Sequence, residues 1–329
     1  MQIIDRITEL GGIAKGSSLT IGNFDGLHIG HSQILSTARK IAVERKTALV
    51  VMTFEPHPVA ILHPEMAPER LLTLKMKLHL LGECGADYMV LLTDDRQFLN
   101  LSARDFVDKF LVRQIQPSVV VEGENFHFGA GRSGNIDTLT FLGAEKAFEV
   151  VIVEQETASL SIGRRVKVSS TLIRNLLLEG KAADAAVALG RPYKLIGKVV
   201  RGRGTGKRLG FPTANLGNIN QIIPAEGVYA GTVETADTEE DLCRLNAQTP
   251  AVFSIGTKKT YGAENPLLVE AHFLKKDPGE LKGRWMAMDF VKKIRDQRKF
   301  GTEADLASQI ATDCEKAKDI IIEHESVSG

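Results

Sequence analysis

The sequence predicts a chain of two domains: an α/β domain on a doubly wound parallel sheet, then a small antiparallel β-barrel with a terminal helix. Three observations predict it. Strand-like and helix-like segments alternate through the first half, the pattern of parallel strands joined by helices. From about residue 193 strand candidates succeed one another without helices, which implies an antiparallel sheet or barrel. One convincing helix, EADLASQIATDCEKAKDIIIEH, closes the second half. A length of 329 residues favours two ordinary cores over one large one.

Taken in order, SLTIG leads into the helical pattern HSQILSTARKIAVERK, whose Ile34, Leu35, Ala38, Ile41 and Ala42 share a face. TALVVMTF is a continuous β-rich run, as expected of a strand buried on both sides. The helix LKMKLHLLGEC, the strand YMVLL, the helix SARDFVDKFLVRQ and the strand SVVVEG repeat the theme. DTLTFLGAEKAF, EVVIVE and a helix over 170–179 complete it. KAADAAVALG reads as a short connecting helix, so the domains are expected at 1–185 and 186–325. In the second, LIGKVVRG, GVYAGTVET, TPAVFSIG, LLVEAHFL and WMAMDFVKKI are short strands divided by turn residues, and ESVSG is a frayed tail.

The hydrophobic fraction is 43% and the charged fraction 25%, the composition of a globular protein. Lys+Arg and Asp+Glu both number 41, so no bulk field draws the chain to nucleic acid or membrane, and anion binding has to be local. No apolar run approaches a membrane span, and MQIIDRITELGG has no basic region followed by a long apolar core. Cys84, Cys243 and Cys314 are far apart and odd in number, which suits reduced thiols in a cytoplasmic protein and excludes a zinc-finger spacing.

NFDGLHIGH follows the first strand, and in open α/β sheets the first strand–helix turn is the usual phosphate seat. Gly22, Gly26 and Gly30 let backbone N–H groups approach an anion, and the helix N-terminus adds its dipole. His28 and His31 stand three apart on one face of the first turn, where imidazoles can donate to phosphate oxygens and stabilise a departing pyrophosphate. No GKS/T ending follows, so this is not a P-loop. TFEPHP ends the second strand and leaves His57 at the same sheet edge; VEGENFHFGAGRSG brings Asn125, Phe126 and Arg132 there. VSSTLIR puts Ser170 and Thr171 at a helix start, where such residues are also ordinary N-caps, with Arg174 one turn on.

GNFDGLHIGH resembles the signature of the nucleotidyltransferase superfamily, shared with class I aminoacyl-tRNA synthetases. With the other three clusters, the whole first half resembles the FMN adenylyltransferase module of bacterial bifunctional FAD synthetases, a Rossmann-like domain. The resemblance implies transfer of AMP from ATP to the phosphate of FMN, giving FAD and pyrophosphate. By it, His28 and His31 hold ATP phosphates with Gly22, Phe24 and Asp25 in the same loop. Ser170, Thr171 and Arg174 supply further nucleotide and phosphate contacts. His57, Asn125, Phe126 and Arg132 lie on the FMN side, Asn125 between the two substrates.

In GKRLGFPTANL, Gly206 and Gly210 bracket Lys207 and Arg208, in a loop that already carries Arg201, Gly202 and Arg203. Thr213 and Asn215, at i and i+2 of an extended segment, face the same way and can share one hard cation; Mg²⁺ takes few protein ligands and keeps phosphate oxygens. Glu270 interrupts the apolar strand LVEAHFL, where a carboxylate is either paired structurally or held rigid as a general base. GKVVRGRGTGKRLGFPTANL, GVYAG, VEAHFL and the closing IRDQRKF resemble riboflavin kinase along the second half. That resemblance implies phosphorylation of riboflavin to FMN. Thr213 and Asn215 would hold Mg–ATP beside Gly202, Gly206, Lys207 and Gly210, with Glu270 as the base toward the ribityl 5′-hydroxyl. Arg295, in KKIRDQRK, would reach the flavin side or lie on a solvated face.

Four residues depart from the family pattern: Lys207 for arginine, Ser254 for asparagine, Lys259 for proline and Lys282 for tyrosine. They keep open a flavin-binding protein with a decayed kinase half, and HxGH alone admits another adenylyltransferase. The absence of a KMSKS-like stretch and of a basic face argues against tRNA. ATP, riboflavin, FMN and FAD are the expected substrates and products, and one monomer suffices for both reactions.

Overall fold

The computed structural model describes residues 1–93, 96–161, 163–202, 206, 210–244, 248–257, 267–274 and 279–328. Two compact units form. The first is Met1–Pro68, Lys77–Ala158 and Val166–Val168; the second is Glu69–Met76, Ser159–Arg165 and Ser169–Gly329.

In the first unit, β1 (Gln2–Ile4), β2 (Ser18–Ile21), β3 (Leu49–Phe54), β4 (Tyr88–Leu92), β5 (Val119–Gly123) and β6 (Glu149–Val153) form one sheet in the order β1-β4-β3-β2-β5-β6. Every pairing is parallel. The central strands are buried on both faces, so Val50, Val51 and Met52 occur consecutively without polar alternation. Helix α1 (Ile29–Glu44) buries Leu35, Ala38 and Ala42, as its apolar spacing requires. The strand order reverses between β2 and β5, and a sheet of this kind opens its ligand crevice at such a point. Here the two strands pair only at Ser18–Val119 and Leu19–Val120. β2 stays on β3 as far as Ile21–Met52, and β5 stays on β6 as far as Gly123–Val153. Their carboxyl ends therefore part.

Several features differ from the sequence expectation, among them a short helix, Glu239–Arg244, in the half expected to run from strand to strand without helices. Gln2–Ile4 adds a short edge strand to β4, too brief for its own periodicity to reveal. The helix expected in SARDFVDKFLVRQ winds as a π-helix over Phe106–Ile115. Its wider turn brings Phe106, Phe110 and Ile115 to one side, against Phe98 and Phe128. The Gln116 N–H closes it on the Leu111 carbonyl at 2.7 Å, and Gln116 itself is left-handed at φ 53°.

The second unit holds α2 (Ser170–Leu178) and α3 (Ala182–Leu189), then a closed barrel. Its strands are β7 (Tyr193–Val200), β8 (Thr213–Gly217), β9 (Gly227–Ala236), β10 (Thr249–Thr257), β11 (Leu267–Phe273) and β12 (Trp285–Arg295), in the order β7-β8-β11-β10-β9-β12. All pairings are antiparallel. Closure leaves no open sheet edge. The interior is aromatic: Phe290 packs against Tyr193, Tyr229 and Phe253 with centroid separations of 6.3, 5.3 and 4.9 Å. Such ring pairs each contribute roughly 0.5–1.5 kcal/mol beyond their area burial. Helix α4 (Glu303–Ser328) lays Cys314, Ala317 and Ile321 on Val228, Ala230 and Val252.

Candidate active sites

The loop after β2 is built around two buried side chains with left-handed backbones, Phe24 (φ 48°) and Leu27 (φ 41°). Such conformations are strained for residues with a β-carbon, and burying both side chains offsets the cost. The chain then enters α1 with His28 as N-cap, its Nδ1 accepting the His31 N–H at 3.2 Å. That bond fixes the neutral tautomer, so the His28 proton sits on Nε2 as a donor. His31 stacks on His28 at 3.7 Å between centroids and 13° between planes, and meets Phe24 in a T-shaped contact at 5.2 Å. The two imidazoles occupy one environment, at the N-terminus of a sixteen-residue helix.

His57 lies 3.0 Å from the Asn23 side chain through Nε2, and its Nδ1 accepts the Val59 N–H at 3.1 Å. With Nδ1 accepting, a neutral ring carries its proton on Nε2, facing the Asn23 side-chain amide group. The turn ahead of His57 is braced by Lys77, a buried cation that donates to the Phe54 carbonyl at 3.1 Å and to Glu55 at 3.2 Å. Beyond β5, Asn125 and Arg132 are exposed and Phe126 half-buried, its ring stacked 5.6 Å from Phe128. Within the first unit, Gly22, Phe24, Asp25, His28, His57, Asn125, Phe126 and Arg132 thus lie on the segments that follow β2, β3 and β5, and His31 on the first turn of α1. Ser170, Thr171 and Arg174 belong to the second unit. Ser169 is the N-cap of α2, and Arg174 Nε donates to the Glu69 carbonyl at 2.7 Å.

On the barrel, Asn215 pairs with Glu270 and Thr213 with His272 across β8 and β11, while Glu270 also pairs with Ser254 of β10. Alternate residues Val269 and Ala271 are buried, so this row faces outward. The glycines of the preceding loop cross it closely. A β-carbon on Gly202 would overlap the Asn215 amide; on Gly206 it would overlap the Phe211 carbonyl and stand 3.1 Å from Thr213 Oγ1. Gly210 completes the loop at φ 84°, and Lys207 lies outside the described residues, as does Lys259. Ser254 Oγ accepts the Gln297 amide at 3.0 Å, and Lys282 is exposed.

Beside the row, a cavity of about 530 Å³ opens between α4 and the strands, lined by Phe211, His272, Leu274, Thr312, Cys314 and Lys318. His272 Nδ1 lies 2.8 Å from the Pro212 carbonyl, which makes it the donor there. Burial pushes the Cys314 thiol up to about 11, so it contributes apolar wall rather than a nucleophile. Arg295 is engaged by Asp313 of α4 through bonds of 3.0 and 2.7 Å to one carboxylate oxygen and 3.1 Å to the other. Among the described residues no group of three or more His, Cys, Asp or Glu could hold a metal.

Two family models match the chain, FAD synthetase over residues 12–172 and riboflavin kinase over residues 189–321. The bifunctional riboflavin kinase/FMN adenylyltransferase of Escherichia coli (strain K12) is 36% identical over 299 residues, covering 91% of each chain. The chain belongs to the bifunctional riboflavin kinase/FMN adenylyltransferase family. The Pseudomonas fluorescens member is 33% identical over 319 residues, 97% of each chain. A crystal structure described as a macrolide-efflux protein from Streptococcus pneumoniae superposes with a TM-score of 0.80 at 27% identity, covering 96% of this chain and 98% of that one. Among the described residues no helix of this family member is long and apolar enough to cross a membrane.

Several residues of these sites escape a reading of motifs. His272 stands two residues beyond Glu270, and period-2 alternation alone puts both on one face. Lys77 and Glu122 sit inside an apolar helix pattern and an apolar strand, where only the buried partner distinguishes them from surface charges.

Proposed function

We propose that the protein phosphorylates riboflavin to FMN on its barrel and adenylylates FMN to FAD on its parallel-sheet domain. The kinase activity is assigned to residues 186–325 and the transferase activity to residues 1–185. The observation that carries the reading is the Asn215–Glu270 pair beside Thr213, beneath a loop that only glycine allows so close.

In the kinase half, Thr213 Oγ1 and Asn215 Oδ1 would hold the Mg²⁺ that arrives with ATP. Mg²⁺ supplies charge neutralisation on the transferred phosphoryl group. Gly202, Gly206 and Gly210 would line the loop over the phosphates, and Lys207 is proposed to contribute its charge there. Glu270 accepts the proton of the ribityl 5′-hydroxyl as that oxygen attacks the γ-phosphorus and ADP leaves. The cavity between α4 and the strands, where Phe211 and Leu274 stand beside polar Thr312, Glu315 and Lys318, suits a ring system with polar edges such as a flavin, and Arg295 serves the flavin side by tying α4 to β12.

In the transferase half, an FMN phosphate oxygen attacks the α-phosphorus of ATP and the bond to pyrophosphate breaks. His28 Nε2–H and His31 donate to the phosphates of the leaving group, with Gly22, Phe24 and Asp25 shaping the loop. Ser170, Thr171 and Arg174 serve the nucleotide side, while His57, Asn125, Phe126 and Arg132 serve the FMN side. Positioning and charge stabilisation suffice, since no covalent intermediate is needed. Both substrates are small molecules, one monomer is enough, and the cytoplasm is the proposed location. Incubation of the purified protein with riboflavin and MgATP, followed by separation of the flavins, tests the reading: FMN and then FAD are expected, and the absence of both refutes it.

A further inference from the structure

The deeply buried acids of this protein mostly have an evident partner: Asp313 has Arg295, Asp289 and Glu234 share Lys194, and Asp184 takes two donors from Ser161. Glu122 is different. It is 2% exposed, lies on β5 one residue before the end of the strand, and has no ion-pair partner among the described residues. Its Oε1 accepts the Ile21 N–H at 2.6 Å.

That bond replaces a rung of the sheet. The Gly22 N–H bonds to Met52 of β3, so the Ile21 N–H, one residue earlier, points the other way, toward β5. The backbone ladder between β2 and β5 has already ended at Leu19–Val120. The Glu122 carboxyl fills the wedge where the strands part and holds the last residue of β2, from which the 22–28 loop departs.

Burial drives the Glu122 proton affinity well above the ordinary carboxylate range, while the Ile21 N–H and the Thr20 hydroxyl oppose the shift. No charged group adds to it. The loop carries Asp25; α1 has His28 as N-cap, His31 in its first turn, and Arg39, Lys40 and Glu44 toward its other end; Glu149, at the start of β6, pairs with Arg45. Beyond β5, Glu124 has Lys167 at 3.5 Å; toward the π-helix, Asp108 and Glu145 share Lys146, and Glu145 also holds Arg104.

We propose that Glu122 is a proton-bearing positioning residue of the adenylyl-transfer site, neutral when triphosphate binds and, once ionised, opposing it from behind the loop. The proposal rests on the adenylyltransferase reading above. A neutral carboxyl can accept the Ile21 N–H without placing charge near the anion cradle. An anion there repels the nucleotide and has no cation to offset it. By linkage, triphosphate binding favours the protonated form, so ATP affinity at this site falls as pH rises through the Glu122 titration.

The test follows FAD formation from FMN and ATP between pH 6 and about 9.5, with riboflavin phosphorylation by the same chain as the internal reference. In the wild type the KM for ATP in FAD formation rises roughly fivefold toward the alkaline end. In Glu122→Gln, which keeps an oxygen for the Ile21 N–H but cannot ionise, that rise disappears, and the kinase profile is the same in both chains. A wild type that makes FAD but shares its pH profile with E122Q overturns the inference alone. A wild type that makes no FAD at any pH overturns the adenylyltransferase reading and this inference with it. Infrared spectra of the wild type cover the case of an unfolded E122Q: a protonated-carboxyl band lost in step with the rise in KM supports the proposal, and a rise in KM with no accompanying change in that band overturns it.

Discussion

Asn215 and Glu270 face each other across β8 and β11 on the outer wall of the barrel, with Gly202 passing over the asparagine too closely for any β-carbon. An amide oxygen and a carboxylate are thereby fixed on adjacent strands rather than on loops, as the proposed cation and proton roles require. Replacing Glu270 with Gln preserves the pairing and removes the base. FMN formation is expected to fall by about 10²–10⁴-fold, while FMN supplied from outside is still converted to FAD. Product separation with each flavin as starting substrate checks both halves; equal loss of the two activities in a folded variant would contradict separate sites.

The stacked His28–His31 pair gives the converse experiment. His28 caps α1 and is proposed to donate to phosphate, so His28→Ala would mix a stability loss of about 1 kcal/mol with the loss of that donor. His28→Asn keeps a capping oxygen for the His31 N–H and lacks the imidazole. It is expected to hold the thermal transition near that of the wild type while lowering FAD formation by about 10²-fold or more. Thermal denaturation beside the FMN-to-FAD rate separates the two effects.

Much of this was legible in the sequence, for a reason the residues make plain. Gly22 to His31 and Gly202 to Asn215 are contiguous stretches, so spacing alone puts their groups on one turn or one strand face. Val50, Val51 and Met52 show a doubly buried strand without reference to anything else in the chain. What could not be read is what distant residues do to one another. Arg295 reads either as a flavin-side cation or as part of a solvated run, and neither shows that Asp313, eighteen positions on, takes its guanidinium. Glu122 reads as an interruption of an apolar strand, and only the parting of β2 from β5 explains it. The π-winding of Phe106–Ile115 likewise follows from the aromatic layer it meets.

The Arg295–Asp313 contact carries its own prediction. Asp313 is 1% exposed, so Arg295→Ala leaves a buried carboxylate without its cation. A loss of about 3–5 kcal/mol is expected for such a break, and it falls on the packing of α4 against the barrel. Urea denaturation reads the loss directly. The double variant Arg295→Ala with Asp313→Ala should recover part of it, since no charge is then stranded. A single variant as stable as the wild type would refute the clip.

On β7, Lys194 donates to Asp289 of β12 at 2.7 Å and to Glu234 of β9 at 3.0 Å. Burial by itself would lower the lysine's proton affinity, but the two carboxylates outweigh it and the net shift is upward. Asp289 is shifted upward too, chiefly by burial and against the pull of Lys194. The lysine decides the alkaline behaviour. Its folded-state pKa exceeds the unfolded value of 10.5, so its contribution is complete below that pH and disappears as pH climbs through the folded value. Lys194→Met removes the cation and leaves two buried acids, so it should be less stable than the wild type at pH 8. Above pH 10.5 the wild type gives up the stability that its charged lysine supplied, and the gap between the two chains narrows. Urea midpoints measured at both pH values check the sign: a gap that widens in alkali would mean the lysine is not held charged by Asp289 and Glu234.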